Sequence, residues 1–345
     1  MTIVTRGAAI DSTHYGSVAV VDRDGRVLYS AGDPWMLTMT RSALKPFQAV
    51  PLVAEGGLER FGFSAPEAAL LCASHSGEPR HVAAVADMLQ RAGNAPSDLQ
   101  CGSHAPGFYD VKGELPPPPP YSPLAHNCSG KHSGMLAWCV ACNVRKDTYL
   151  AFDHPLQRAI RGAVAHFTAT PETALVAGID GCSAPNYAVP LARLALAFTR
   201  LASDEPDRHY GSAASRLGRA MTAHPEMVSG EGRSDLALMV AGRGDWVSKI
   251  GAEGVQAIGV RGAGIGIALK VADGNKRGLL PATVAVLDQL GLLDPDQRAA
   301  LAPWREPVVR NYRGTPTGHV RAVVALEKTD FSVRDRFPSA APGNG

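Results

Sequence analysis

Strand-like patterns stand near both ends of this chain and helical patterns fill the middle, so a compact fold must bring the two ends into one sheet. Near the start, Ser17-Val18-Ala19-Val20-Val21 and Arg26-Val27-Leu28-Tyr29 flank Asp22-Arg23-Asp24-Gly25, a hairpin turn in which glycine supplies the positive φ. Towards the end, residues 246–271 are rich in Val, Ile and Gly and read as two or three strands with a tight turn. Between them, apolar residues recur at helical spacing over 44–53, 81–92, from His132 onward, and over 154–166, 190–202 and 212–224. A further helical stretch, 281–290, follows the strands. Ser64-Ala65-Pro66-Glu67 has the form of a helix start capped by Ser64. The expected class is α/β (α+β), with one domain over residues 1–335 whose central sheet joins both termini, and a disordered tail over 336–345.

Charge excludes some functions. Lys+Arg number 34 and Asp+Glu 32, a net charge of +2, which offers no field for nucleic acid. The longest apolar stretches, such as Leu136 to Cys142, are far too short to span a bilayer. Met1 to Gly7 has neither the charged start nor the apolar core of a signal peptide. The expectation is a soluble, cytoplasmic protein without nucleic-acid or membrane partners. There, the six cysteines read as reduced thiols, core fillers or metal ligands rather than as a disulfide framework. Five consecutive prolines, Pro116 to Pro120, make a stiff surface loop.

Four places can carry chemistry. Ser42-Ala43-Leu44-Lys45 is a Ser-x-x-Lys at a helix start, a spacing that makes the two side chains neighbours on one face. A serine hydroxyl needs a nearby base to become a nucleophile, and a lysine serves once burial or another cation lowers its pKa. Cys72-Ala73-Ser74-His75-Ser76-Gly77 is an apolar run that breaks into polar groups, a common address for reactive side chains. Asn127-Cys128-Ser129-Gly130-Lys131-His132 crowds a thiol, an amine and an imidazole into a glycine turn, and Asp180-Gly181-Cys182 adds a second thiol and a carboxylate. Two cysteines, one nitrogen and a water make an open tetrahedral zinc site, for which ligand chemistry favours His132 as the nitrogen. Lys249-Ile250-Gly251 is a Lys-x-Gly at a strand start, similar to an element that accompanies Ser-x-x-Lys in penicillin-interacting enzymes. Two patterns mislead. Cys139-Val140-Ala141-Cys142 lies within an apolar helix and lacks a second pair, and Gly262-Ala263-Gly264-Ile265-Gly266 runs into a strand rather than the helix of a dinucleotide site.

Together these blocks resemble the rhizobial-type L-asparaginase family, also called the asparaginase II family. The resemblance begins at Arg6-Gly7 and Asp11-Ser12-Thr13-His14 and continues through Arg41 to Gln48, Ser74 to Glu78 and His126 to His132. It goes on through Asp180 to Pro185, His224 to Met227, Lys249 to Gly254 and Gly266 to Gly274, covering most of the chain in the family's order. It implies a serine β-lactamase/glutaminase-like fold, a homodimer, and hydrolysis of L-asparagine to aspartate and ammonia through an acyl-enzyme. It implies two Ser–Lys pairs, Ser42 with Lys45 and Ser74 with Lys249, with Lys270 the competitor for the last place. It also implies a zinc ion held by Cys128, Lys131 and Cys182, so that Lys131 displaces His132 as the nitrogen ligand. His132, Asp180 and Arg41 are then candidates for the substrate-facing positions. The competing functions are another Ser–Lys amidohydrolase, glutaminase or β-lactamase-like, and a non-catalytic protein that binds zinc or an amino acid.

Overall fold

The computed structural model of the chain describes residues 1–332, so the tail expected over 336–345 lies outside the described residues. Its centre is a six-stranded antiparallel sheet in the order Glu327–Ser332, Arg26–Ala31, Gly16–Asp22, Ile265–Val271, Val255–Val260, Trp246–Gly251. Strands from the two ends of the chain therefore pair in the middle of one sheet, Leu269 opposite Val18 and Ala268 opposite Ala19. The hairpin turn at residues 22–25 is held by the Asp22 carboxylate, which accepts from the Asp24 and Arg26 N–H groups at 2.9 and 2.8 Å.

Alternation along these strands produces two cores. Ala19 and Val21 point to a large helical core, whereas Val18 and Val20 point to a smaller one closed by the helix Lys276–Gln289. On the first side, the helix Leu191–Ala202 lies directly against the sheet. The two surfaces meet at Gly266, where a Cβ would stand 1.9 Å from the Ala195 carbonyl oxygen and 2.5 Å from Thr199 Oγ1. Gly266→Ala must push the helix off the sheet. The expected cost is about 1–3 kcal/mol of stability, read as a lowered melting temperature by circular dichroism; an unchanged melting temperature would show that this approach is not tight.

Behind that helix lies a helical layer, of which Lys45–Ala54, Ala65–Leu71 and Ser129–Ala141 matter most for function. Ser64 starts the second of these as a capping residue, its N–H donating to the Glu67 carboxylate at 2.7 Å. A three-stranded sheet, in the order Leu37–Met39, Pro185–Pro190, Val176–Ile179, flanks the layer and brings the segment before residue 185 beside Arg41. A further sheet pairs Thr2–Arg6 with Ala9–His14 and with Pro316–Ala322. Among the described residues no helix is long and apolar enough to cross a membrane.

Candidate active site

The chain between the strand Leu37–Met39 and the helix Lys45–Ala54 makes a 3-10 turn, Arg41–Leu44, and Ser42 sits on it half-buried. Arg41 just before it has φ +48°, a left-handed conformation costly for a residue with a Cβ. Asn186 holds it there. Its side-chain oxygen accepts from the Arg41 N–H at 3.0 Å and its amide nitrogen donates to the Arg41 carbonyl at 3.0 Å. Backbone strain imposed from outside, one residue before a serine, is a device common at reactive positions.

Ser42 and Ser74 line one cavity of about 260 Å³ together with Asn127, Arg233, Ile250, Gly251, Ala252 and residues of the rim. Ser74 follows the helix Ala65–Leu71 and is buried, so Ser42 is the more accessible hydroxyl. Lys45 is 1% exposed, and its Nζ lies 2.7 Å from Ser74 Oγ, 2.5 Å from the Ala73 carbonyl and 3.3 Å from that of Asn127. Two carbonyls require two N–H donors. The third position on the nitrogen faces Ser74, and it donates when the lysine is charged and accepts a serine proton when it is neutral. The one side-chain partner of Lys45 Nζ is thus Ser74, and Ser42 makes no side-chain hydrogen bond among the described residues.

Lys249, on the strand Trp246–Gly251, is wholly buried and donates to Asp235 Oδ2 at 3.2 Å and to its neighbour's carbonyl, Ile250, at 3.0 Å. No hydrogen bond joins it to Ser74 among the described residues. Burial lowers its pKa to about 8, against the pull of the Asp235 carboxylate. Burial works equally against a charged Asp235, but Lys249 and the donors Ile250 N–H, Ser248 Oγ and Gln256 Nε2 hold that carboxyl below its ordinary value. Lys270 donates to the carbonyls of Glu253 and Val271, and neither it nor Lys249 lines the cavity.

The proposed substrate-facing groups are placed differently from one another. Arg41 Nε donates to Asp180 Oδ1 at 2.9 Å, and its other nitrogen lies 3.9 Å from Glu253, so these two residues are engaged with each other at the edge of the site. His132 has no exposure and its Nδ1 lies 2.6 Å from the Tyr149 hydroxyl, which puts it in the core rather than on the cavity. Asp235 and Arg233 carry no signal in the sequence. An aspartate in a helix's first turn, here Ser234–Ala241, reads as an ordinary partner of the helix dipole.

Cys128, Lys131 and Cys182 converge as buried groups beside Lys45. Lys131 Nζ lies 3.0 Å from Cys182 Sγ, and hydrogen bonding to Cys182 draws the Cys128 thiol well below its ordinary pKa. Among the described residues no group of three or more His, Cys, Asp or Glu side chains could hold a metal ion. A metal at this cluster therefore needs Lys131 as a ligand, and the donor set of two sulfurs and one nitrogen fits zinc. The Cys139 thiol, by contrast, is pushed up to about 12 by burial, with the neighbouring Cys142 adding to the rise.

A family model described as L-asparaginase II matches residues 2–322 of the chain. No curated protein sequence matches it. Among solved structures, Mglu in its native form is 18% identical, with 81% of this chain and 66% of that chain covered at a TM-score of 0.38. Mglu in its glutamate form is again 18% identical, with 81% and 62% covered at 0.38. The chain spans just under two thirds of the length of those proteins, and a likeness of this size carries no argument about the site.

Proposed function

The chain belongs to the L-asparaginase II family, which places it among amidohydrolases, and on that premise we propose that it hydrolyses L-asparagine to aspartate and ammonia. What supports this most is one juxtaposition. Two serines from distant segments face a single cavity, with a buried lysine 2.7 Å from the inner one. In the proposed reaction Ser42 Oγ attacks the side-chain amide carbon of the substrate, and Lys45 receives the serine proton with Ser74 as relay. The carbon–nitrogen bond then breaks, the proton passes to the leaving nitrogen, and ammonia departs. Water attacks the resulting ester, aspartate is released and Ser42 regains its proton. Lys249, paired to Asp235 behind the cavity wall that Ile250 and Gly251 form, contributes positive charge to the site from a distance. Release of ammonia from L-asparagine and L-glutamine by the purified chain is the test. Turnover of asparagine well above glutamine supports the reading; turnover of glutamine alone, or of neither, overturns it.

The cofactor in this proposal is one zinc ion per chain, held by Cys128, Lys131 and Cys182. It would supply charge and hold two distant segments together. Because each of those ligands must give up its proton, zinc affinity falls as pH drops. Metal analysis of protein purified without chelator should find about one zinc per chain, with the ion lost in Cys128→Ser and Cys182→Ser but kept in Cys139→Ser and Cys142→Ser. Full occupancy in Cys182→Ser would refute the assignment. A homodimer completes the proposal and rests on the family resemblance alone.

A further inference from the structure

A free amino acid brings two fixed charges into the cavity besides the amide that reacts, and a carboxylate held away from water needs a cation there that has no other partner. Most of the nearby cations are already engaged. Lys45 is bound to two carbonyls and Ser74, Lys249 to Asp235, and Arg41 to Asp180. Lys276 stands exposed on the rim. Arg233 is different. It lines the cavity half-buried, no carboxylate among the described residues pairs with it, and its one side-chain hydrogen bond is a long contact of 3.4 Å to Ser76 Oγ.

We propose that Arg233 receives the α-carboxylate of the substrate and so restricts the site to amides that carry one. A guanidinium is always charged and presents paired N–H donors that match both carboxylate oxygens at once. The charge balance points the same way: after burial, Lys249 feels the Asp235 carboxylate and, against it, the charges of Lys45 and then Arg233. Three cations, Lys45, Lys249 and Arg233, meet there against Asp235, while Glu253 on the cavity wall lies towards Arg41, and a bound anion relieves that excess. The segment favours fixed placement too, because Arg233 directly precedes the helix Ser234–Ala241 while Glu78 and the Glu231 N–H, 2.8 Å apart, tie down the loop before it.

This inference rests on the amidohydrolase reading of the same cavity, and its test separates the two. Ammonia release is measured for wild type, Arg233→Gln and Arg233→Lys with L-asparagine and with 3-aminopropanamide, which is asparagine without its α-carboxylate. Wild type should prefer asparagine by about 100-fold in kcat/KM, and Arg233→Gln should lose most of that preference. Its KM for asparagine should rise about 10- to 100-fold while kcat stays within about threefold, the mark of an interaction made alike in ground and transition states. Arg233→Lys should recover part of the loss. A preference for asparagine that survives Arg233→Gln overturns the proposal, as does an unchanged KM. In parallel, binding of L-aspartate to Ser42→Ala and to Ser42→Ala/Arg233→Gln is measured by calorimetry, with melting temperatures as the folding control. If no variant releases ammonia yet aspartate binds only when Arg233 is present, the carboxylate assignment stands and the asparaginase reading fails. If aspartate binds equally without Arg233, or not at all, the carboxylate assignment fails.

Discussion

Ser42→Ala should lower kcat/KM for L-asparagine by about 10⁴-fold or more while leaving the fold and melting temperature as they are. The hydroxyl makes no hydrogen bond within the described protein, so its removal strands no buried partner, and the residue is half-buried rather than packed in the core. What disappears is an oxygen needed only for the reaction. Ser74→Ala should be damaging in a different way. It leaves Lys45 Nζ without its third neighbour and breaks the relay, so kcat should fall while asparagine still binds. Steady-state assays of both variants, with circular dichroism as the folding control, check the pair. If Ser42→Ala keeps wild-type turnover and Ser74→Ala abolishes it, the two serines exchange roles.

The second large effect concerns stability. Lys249 and Asp235 are both wholly buried and paired at 3.2 Å, so Asp235→Ala leaves an ammonium in the interior without a counter-charge. Breaking such a pair costs about 3–5 kcal/mol. The sign of its pH dependence follows from the lysine. Its folded pKa, about 8, lies below that of an unfolded lysine, so the unfolded chain binds more protons between those values. The penalty for burying this ammonium is therefore full below about pH 8 and is relieved as pH rises towards about 10.4. Removing the carboxylate, which raises that pKa, should move the onset of relief to lower pH. Activity moves with it: if Lys249 acts as a cation, kcat/KM declines above about pH 8 in wild type, and the declining limb shifts to lower pH in Asp235→Asn. Urea titrations at several pH values and a pH–rate profile test both parts. A limb that stays in place in Asp235→Asn would show that Lys249 does not titrate in the rate.

How much of this is readable from sequence depends on how local each cause is. The hairpin at residues 17–29 is legible because the turn's own aspartate and glycine fix its geometry. The capped start at Ser64 is legible because Glu67 is three residues away. The strands Thr2–Arg6 and Ala9–His14 are not. The second is exposed along most of its length, so burial writes no alternation into it. The helix expected over 281–290 begins at Lys276, since proline reads as a first helical residue whereas Pro281 stands inside the helix.

The site divides in the same way. Ser-x-x-Lys singles out Ser42 and Lys45 as candidates, and the spacing makes the two residues neighbours on one face, in a 3-10 turn as in an α-helix. Where Lys45 Nζ points is set by tertiary packing instead, which offers it acceptors on Ala73, Ser74 and Asn127. Asp235 meets Lys249 across fourteen residues that include a helix and a turn. Tertiary packing creates that pair, and no local pattern announces it.

The most direct measurement of the central claim is mass spectrometry of the chain quenched in acid during turnover of L-asparagine, followed by tryptic digestion. Arg60 lies between Ser42 and Ser74, so the two serines fall on different peptides. A β-aspartyl group on the peptide carrying Ser42, absent from the Ser42→Ala variant, is the result expected from an acyl-enzyme on that residue. The same group on the peptide carrying Ser74, with Ser42 unmodified, would contradict it.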